Sequence, residues 1–159
     1  MQPILLGGVA LFVVAAYSDI KSLKISNALV AAVTMLGLFR LIAIADLTTA
    51  LYTVGASVVV LSVTFLLFWR GFLGGGDAKL MAGTVLLIGY HDVISFLFLM
   101  SICGALVSIA ILIIHRYLPL YLGPRLAVLV PKARPAVPYG VAIAAAGTAT
   151  LLFQYSHLG

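Results

Sequence analysis

Apolar residues occur along the chain in long runs separated by short polar gaps, and this pattern predicts membrane-spanning helices. A helix that crosses the hydrocarbon core of a bilayer needs about 20 apolar residues. Because lipid offers no hydrogen-bond partners to the backbone, each such run is expected to be helical. The pattern therefore predicts an all-α, polytopic membrane protein, a single domain over residues 1–159. Its six predicted spans cover about residues 3–18, 25–45, 47–69, 77–90, 93–115 and 137–155.

Residues 116–136 break the pattern, because they combine four basic residues with four prolines. This predicts an extramembrane loop with an interfacial piece at 118–130. The first apolar run has its basic residues after it, which is the wrong polarity for a cleaved signal peptide. It is therefore predicted to be a retained first span.

Composition excludes several classes of protein. Hydrophobic residues make up 64% of the chain and charged residues 8%, whereas a soluble domain carries about 25% charge. A water-soluble globule and a disordered chain are both excluded. The single cysteine, Cys103, cannot form an internal disulfide or a cysteine-based zinc cluster, and it is expected to be a buried thiol.

The net charge of +5 is best interpreted as a topology signal, because the basic residues lie in the gaps between apolar runs. No nucleic-acid partner is expected. In a six-span arrangement Arg40 lies alone on one side. That asymmetry predicts a cytoplasmic location for the other side, and both termini outside. The basic residues on the predicted cytoplasmic side are Lys21, Lys24, Arg70, Lys79, Arg116, Arg125, Lys132 and Arg134.

Asp77 is the first candidate for chemistry, because it follows Gly74, Gly75 and Gly76 at the start of a short apolar run. A helix over 77–90 rises only about 20 Å, so we expect it to start recessed, with Asp77 in a water-reachable pocket. The alternative is a helix N-cap after a glycine-rich turn. The recessed helix predicts that Val at Gly76 damages activity more than Val at Gly83.

Asp19 ends the first span on the same predicted side. Alone, it could be a solvated acid paired with Lys21 or Lys24. Together, two neighbouring carboxylates suggest a dyad that shares a proton and activates water without a metal. Asn27 could cap the second span or bind a carboxylate, and Lys79 could tune the dyad or extend to the interface. The remaining titratable residues are interpreted as interfacial histidines or turn acids, namely His91, His115, His157, Asp46 and Asp92.

Three motifs carry a resemblance to a known family. They are the G-x-G-D of Gly74–Asp77, the I-x-N of Ile25–Asn27 that follows Asp19, and the stretch from Pro138 to Gly147. In this order the chain resembles the type IV prepilin peptidases, which are G-x-G-D aspartic proteases of the bacterial inner membrane. It is most similar to their short TadV/CpaA-type branch, which serves Flp (tight-adherence) pili.

The resemblance implies that Asp19 and Asp77 are the catalytic residues. It implies cleavage of the leaders of prepilins and pseudopilins at the cytoplasmic membrane face, without a cofactor. Longer relatives carry paired Cys-x-x-Cys motifs and also methylate the product, so one cysteine predicts a protease without methyltransferase activity. The implied supporting residues are Gly74, Gly76, Lys79, Asn27, Pro138, Tyr139 and Gly140.

Two other functions fit part of the pattern. A small proton- or ion-coupled transporter could use Asp19 and Asp77 as a relay, and the broken fourth span favours it. Against it, both acids lie at one membrane face, and there is no second discontinuous span. A purely structural membrane subunit would leave the two acids unexplained.

Overall fold

The computed structural model describes residues 2–126 and 138–158, and in these ranges the chain is helical and contains no strand. The predicted all-α fold is thereby confirmed. A short 3₁₀ turn, Tyr90–Asp92, joins the fourth and fifth helices. In chain order the helices are α1 (Gln2–Ser22), α2 (Asn27–Ile44), α3 (Leu47–Trp69), α4 (Gly75–Ile88), α5 (Val93–Leu126) and α6 (Tyr139–Leu158).

Among the described residues, four segments are long and apolar enough to cross a membrane, namely α1, α2, α3 and Tyr90–Ile114. Helix α4 has only 14 residues, and α6 is rich in alanine and glycine. Both of these helices are mostly buried by their neighbours, so they need little apolar surface of their own. The six-span count and the placement of the termini stay predictions.

Helices α4 and α6 each lie between two other helices, so the bundle consists of two groups of three helices. Helix α4 packs against α2 and α3, whereas α6 packs against α1 and α5. The two groups meet mainly where α4 lies against α6 and α1 against α2, and we call this boundary the seam. Side chains from both groups fill one core, in which Phe12, Leu80, Leu87, Phe96 and Ile143 are fully buried.

Short polar residues begin two of the helices. Ser26 is the N-cap of α2, where its hydroxyl accepts the Leu29 N–H at 3.2 Å. One alternative for Asn27 was that it caps α2, but Ser26 is the residue that does so. Asp46 caps α3 by accepting the backbone N–H groups of Thr48 and Thr49. Hydrogen bonds from the side chain and the backbone of Thr49 hold the pKa of Asp46 below its usual value.

Helix α5 is longer than its predicted span, because it continues through residues 116–126 of the predicted loop. At 1.5 Å per residue its 34 residues measure about 51 Å, which exceeds a hydrocarbon core of about 30 Å. Arg116 and Arg125, two of the four basic residues that argued for a loop, thus lie on α5 beyond its apolar segment, which ends at Ile114. The rest of the predicted loop, residues 127–136 with Lys132 and Arg134, lies outside the described residues, as do the side chains of His115, Arg125 and His157.

Candidate active site

Asp77 lies in the first turn of α4. Gly74 is the N-cap residue of that helix, with φ −73° and ψ 142°, and Asp77 is its third residue. The carboxylate reaches back to accept the backbone N–H of Gly74, as the third residue of a capping box does. The alternative prediction, in which Asp77 is itself the N-cap, is therefore wrong, because the N-cap lies three residues earlier. A Cβ on Gly74 would lie 2.6 Å from Asp77 Oδ2, so only glycine leaves room for this contact.

Asp19 lies one turn before the end of α1 and is only 3% exposed. Its Oδ2 accepts the backbone N–H of Val141 at 3.3 Å, and the N–H of Gly140 also donates to this carboxylate. Both donors belong to the first turn of α6, where the helix dipole favours negative charge. Asp19 is therefore a buried residue held by a second helix. The solvated acid paired with Lys21 or Lys24 is wrong, since the described residues contain no such ion pair.

The two aspartates come together around the connection between α1 and α2. A Cβ on Gly76 would lie 3.2 Å from Ile25 Cβ, and a Cβ on Gly140 would lie 2.9 Å from Ile25 Cδ1. The starts of α4 and α6 thus close on the same side chain, and Asp19 acts electrostatically on Asp77. We call this end of the bundle the aspartate end. Because α1 and α4 belong to different three-helix groups, the pair straddles the seam.

The other predicted supporting residues lie near the starts of α2, α4 and α6. Lys79 Nζ donates to the side-chain oxygen of Asn27 at 3.3 Å, which links the starts of α4 and α2 in an exposed position. These two residues therefore contact each other. Pro138 and Tyr139, both partly buried, lead into the first turn of α6, where the Pro138 carbonyl accepts the Val141 N–H at 3.2 Å.

A polar cluster at the opposite end of the bundle was missed by sequence reasoning. Gln154 donates through Nε2 to the carbonyl oxygen of Ile88, at 2.6 Å, and to the Asp92 carboxylate. Arg40 lies beside Gly89 and is attracted by Asp92. Asp92 is thus part of a tertiary network as well as a turn acid. The sequence contained one sign of this cluster, which is the glutamine within an apolar run. A polar side chain in a membrane span needs a hydrogen-bond partner.

The arrangement at the aspartate end suits acid–base chemistry on water. Two interacting carboxylates favour a state with one proton between them. In that state one group can accept a proton from water while the other donates one to a substrate atom. Within the described residues no three His, Cys, Asp or Glu side chains form a group that could hold a metal ion.

Comparison with known proteins gives one match. The model of the type IV leader peptidase family matches residues 6–109, which is well over half of the chain. The matched range contains Asp19, Asn27 and Asp77, and it ends before the α6 residues that hold Asp19. Searches of the curated proteins and of the solved structures each found no match.

Proposed function

The chain belongs to the type IV leader peptidase family, and from this premise we propose that it is an aspartic endopeptidase that uses Asp19 and Asp77. Its proposed substrates are Flp-type prepilins and pseudopilins, whose leaders it removes at the cytoplasmic face of the bacterial inner membrane. The observation that carries the proposal is that these two aspartates, from separate helices, lie at one end of the bundle, where the starts of α4 and α6 both close on Ile25. A family member that hydrolyses peptide bonds needs such a pair.

In the proposed reaction one carboxylate removes a proton from water, and the water oxygen attacks the scissile carbonyl carbon. The other carboxyl group donates its proton to the carbonyl oxygen. Collapse of the tetrahedral intermediate breaks the C–N bond, and the leaving amine takes up a proton from the pair. The hydrogen bonds from α6 keep the Asp19 carboxylate oriented, which is the positioning that this chemistry requires.

The proposed cytoplasmic location rests on charge. Lys21, Lys24, Arg70 and Lys79 lie near the aspartate end, whereas Arg40 lies at the opposite end. Basic residues concentrate on the cytoplasmic side of membrane proteins. This supports six spans with both termini outside. The single cysteine supports leader removal by this chain without methylation of the new amino terminus.

Co-expression with a Flp-type prepilin tests the proposal, with leader removal followed by gel shift. We expect the wild type to cleave, and Asp19→Asn and Asp77→Asn each to abolish cleavage. Asp46→Asn is the matched control, since this exposed cap lies at the other end of the bundle and is expected to stay active. Cleavage that survives in both dyad variants would refute the protease. Mass spectrometry of the product checks the second claim, because a methylated amino terminus would contradict it.

A further inference from the structure

Asp19 is closed to solvent in this conformation. Only 3% of the residue is exposed, and its Oδ2 already accepts the backbone N–H of Val141. A general acid or base must come within hydrogen-bond reach of water or of a substrate atom, at about 2.6–3.2 Å. An aspartate covered this deeply meets neither until a neighbouring group moves, so the proposed reaction requires a part of the site that opens.

Ile25 is one of the groups that cover Asp19. Its Cδ1 and Asp19 Oδ2 lie 2.9 and 2.8 Å from the same point, the position of a Cβ added to Gly140, so the two side chains are neighbours. On its other side, the Ile25 Cβ lies 3.2 Å from a Cβ added to Gly76, the residue before Asp77. Ile25 therefore fills the space between the starts of α4 and α6, and an apolar side chain in that space keeps water out.

The connection between α1 and α2, which carries this side chain, is weakly held. It consists of residues 23–26. Leu23 has φ 51°, a left-handed conformation that is unfavourable for a residue with a Cβ. The Lys24 carbonyl accepts exposed hydrogen bonds from the hydroxyls of Ser18 and Ser22, both at 3.2 Å. The Ser22 hydroxyl also has a shorter partner in the Ser18 carbonyl, at 2.8 Å, so releasing the connection costs little.

The first turn of α6 is a second neighbour of Asp19, and its movement would harm the site. The N–H groups of Gly140 and Val141 both donate to the Asp19 carboxylate, so a shift of α6 would remove the donors that orient it. The side chain of Ile25 is apolar and donates no hydrogen bond. Displacement of Ile25 therefore uncovers Asp19 while the carboxylate stays held.

From this arrangement, and resting on the proposed peptidase function, we propose that Ile25 is the gate of the active site. In the closed state its side chain lies between the starts of α4 and α6. When substrate binds, the connection turns outward about hinges at Leu23 and Ser26, and Asp19 meets water and the scissile bond. Ile25 is thus a gating residue that acts through Asp19 and takes no part in bond making.

Chemical labelling of carboxyl groups tests the gate without any substrate. A water-soluble carbodiimide with an amine labels accessible aspartates, and peptide mass spectrometry gives the rate at each position. The rate at a covered group follows the population in which that group is exposed. Ile25→Ala removes three partly buried carbons, which corresponds to about a tenfold change in that population. We expect Asp19 to be labelled about tenfold faster than in the wild type, and the exposed Asp46 to be labelled at an unchanged rate.

Two further variants complete the labelling test. Ile25→Val removes one carbon and should speed labelling of Asp19 about twofold, and it serves if Ile25→Ala does not fold. Ile4→Ala is the matched control, because Ile4 is also partly buried against the core, at the other end of α1. It should leave Asp19 at the wild-type rate. An unchanged rate at Asp19 in the Ile25 variants, or an equal increase in Ile4→Ala, would overturn the gate.

Kinetics of leader removal separate a gate from static packing. If substrate must open the gate, its apparent affinity is reduced by the small fraction of open enzyme. Ile25→Ala should therefore lower KM by up to about tenfold and act little on kcat. A fall in kcat at unchanged KM would show that Ile25 is a static spacer, and it would overturn the proposal. Failure of the wild type to cleave any prepilin would contradict the peptidase function, whereas the labelling rates would still decide the gate.

Discussion

The contact between Gly140 and Asp19 makes the sharpest prediction. An added methyl at Gly140 would place its carbon 2.8 Å from Asp19 Oδ2 and 2.9 Å from Cγ, whereas ordinary contact begins at 3.4 Å. The carboxylate would therefore have to retreat by about 0.6 Å, and catalytic groups must be held to within about 0.5 Å. Since a misplacement of about 1 Å can cost a hundredfold in rate, we expect Gly140→Ala to lower kcat roughly ten- to hundredfold.

The assay is leader removal by purified protein in detergent or vesicles, with thermal unfolding measured on the same samples. Gly104→Ala is the matched control, because its added methyl would meet only Ala142 Cβ at 3.8 Å. Both substitutions replace glycine by alanine within helices that pack on each other. Gly104→Ala is expected to be fully active, and Gly140→Ala should be slow at an unfolding temperature within a few degrees of wild type.

Wild-type kcat in Gly140→Ala would refute the reasoning, because it would mean that Asp19 tolerates displacement from the first turn of α6. A loss of activity accompanied by a matching loss of stability would also count against it. In that case the glycine serves packing against Ile25, and the orientation of the carboxylate is not what the variant has changed.

Three further predictions concern stability, each measured by thermal unfolding in detergent. Gly147→Ala forces a methyl to within 2.6 Å of the Phe12 ring and should cost about 1–3 kcal/mol; an unchanged midpoint would show that the ring moves freely. Gln154→Leu leaves the Asp92 carboxylate without its amide donor and should lower the free energy of unfolding by about 1–3 kcal/mol. Wild-type stability in this variant would contradict the prediction. Asp46→Ala removes the α3 cap and should lower the midpoint above about pH 4, with the difference shrinking as the pH falls further through the lowered pKa of Asp46. The depressed pKa of Asp46 means that its contribution is present above its unfolded pKa of about 3.9 and lost on acidification; a pH-independent difference would contradict this.

The sequence predicted the helices well where apolar runs were long and cleanly bounded. Helix α3 occupies the predicted residues 47–69, and α2 lies within its predicted range. The continuation of α5 to Leu126 was not predicted, because prolines and basic residues argue locally against a span. A helix that leaves the bilayer is free of the requirement for apolar side chains, so those residues did not mark its end.

At the aspartate end, the sequence predicted which residues matter but not which groups they contact. The sequence singled out Asp19, Asp77 and, through the resemblance, Gly140. It did not predict that the N–H groups of Gly140 and Val141 donate to Asp19, because these residues lie more than 120 positions from Asp19 along the chain.

The expected ranking of Gly76 above Gly83 stays a prediction, and the structure adds that both positions are crowded. A Cβ on Gly83 would lie 2.9 Å from Thr34 Oγ1, so Val there disrupts the packing of α4 on α2. Gly55, which has open space around it, is the neutral comparison.

The short length of α4 has a consequence for how a substrate must behave. A peptide bond inside a helix is shielded, so the first turn of the substrate has to unwind before water can attack. Unwinding in lipid would strand backbone groups at several kcal/mol each. Helix α4, Gly75–Ile88, measures about 21 Å, and its predicted recessed start would leave the aspartate end open to water. There an unwound turn could exchange its helical hydrogen bonds for water, so the proposed hydrolysis is expected at the level where losing helical structure costs least.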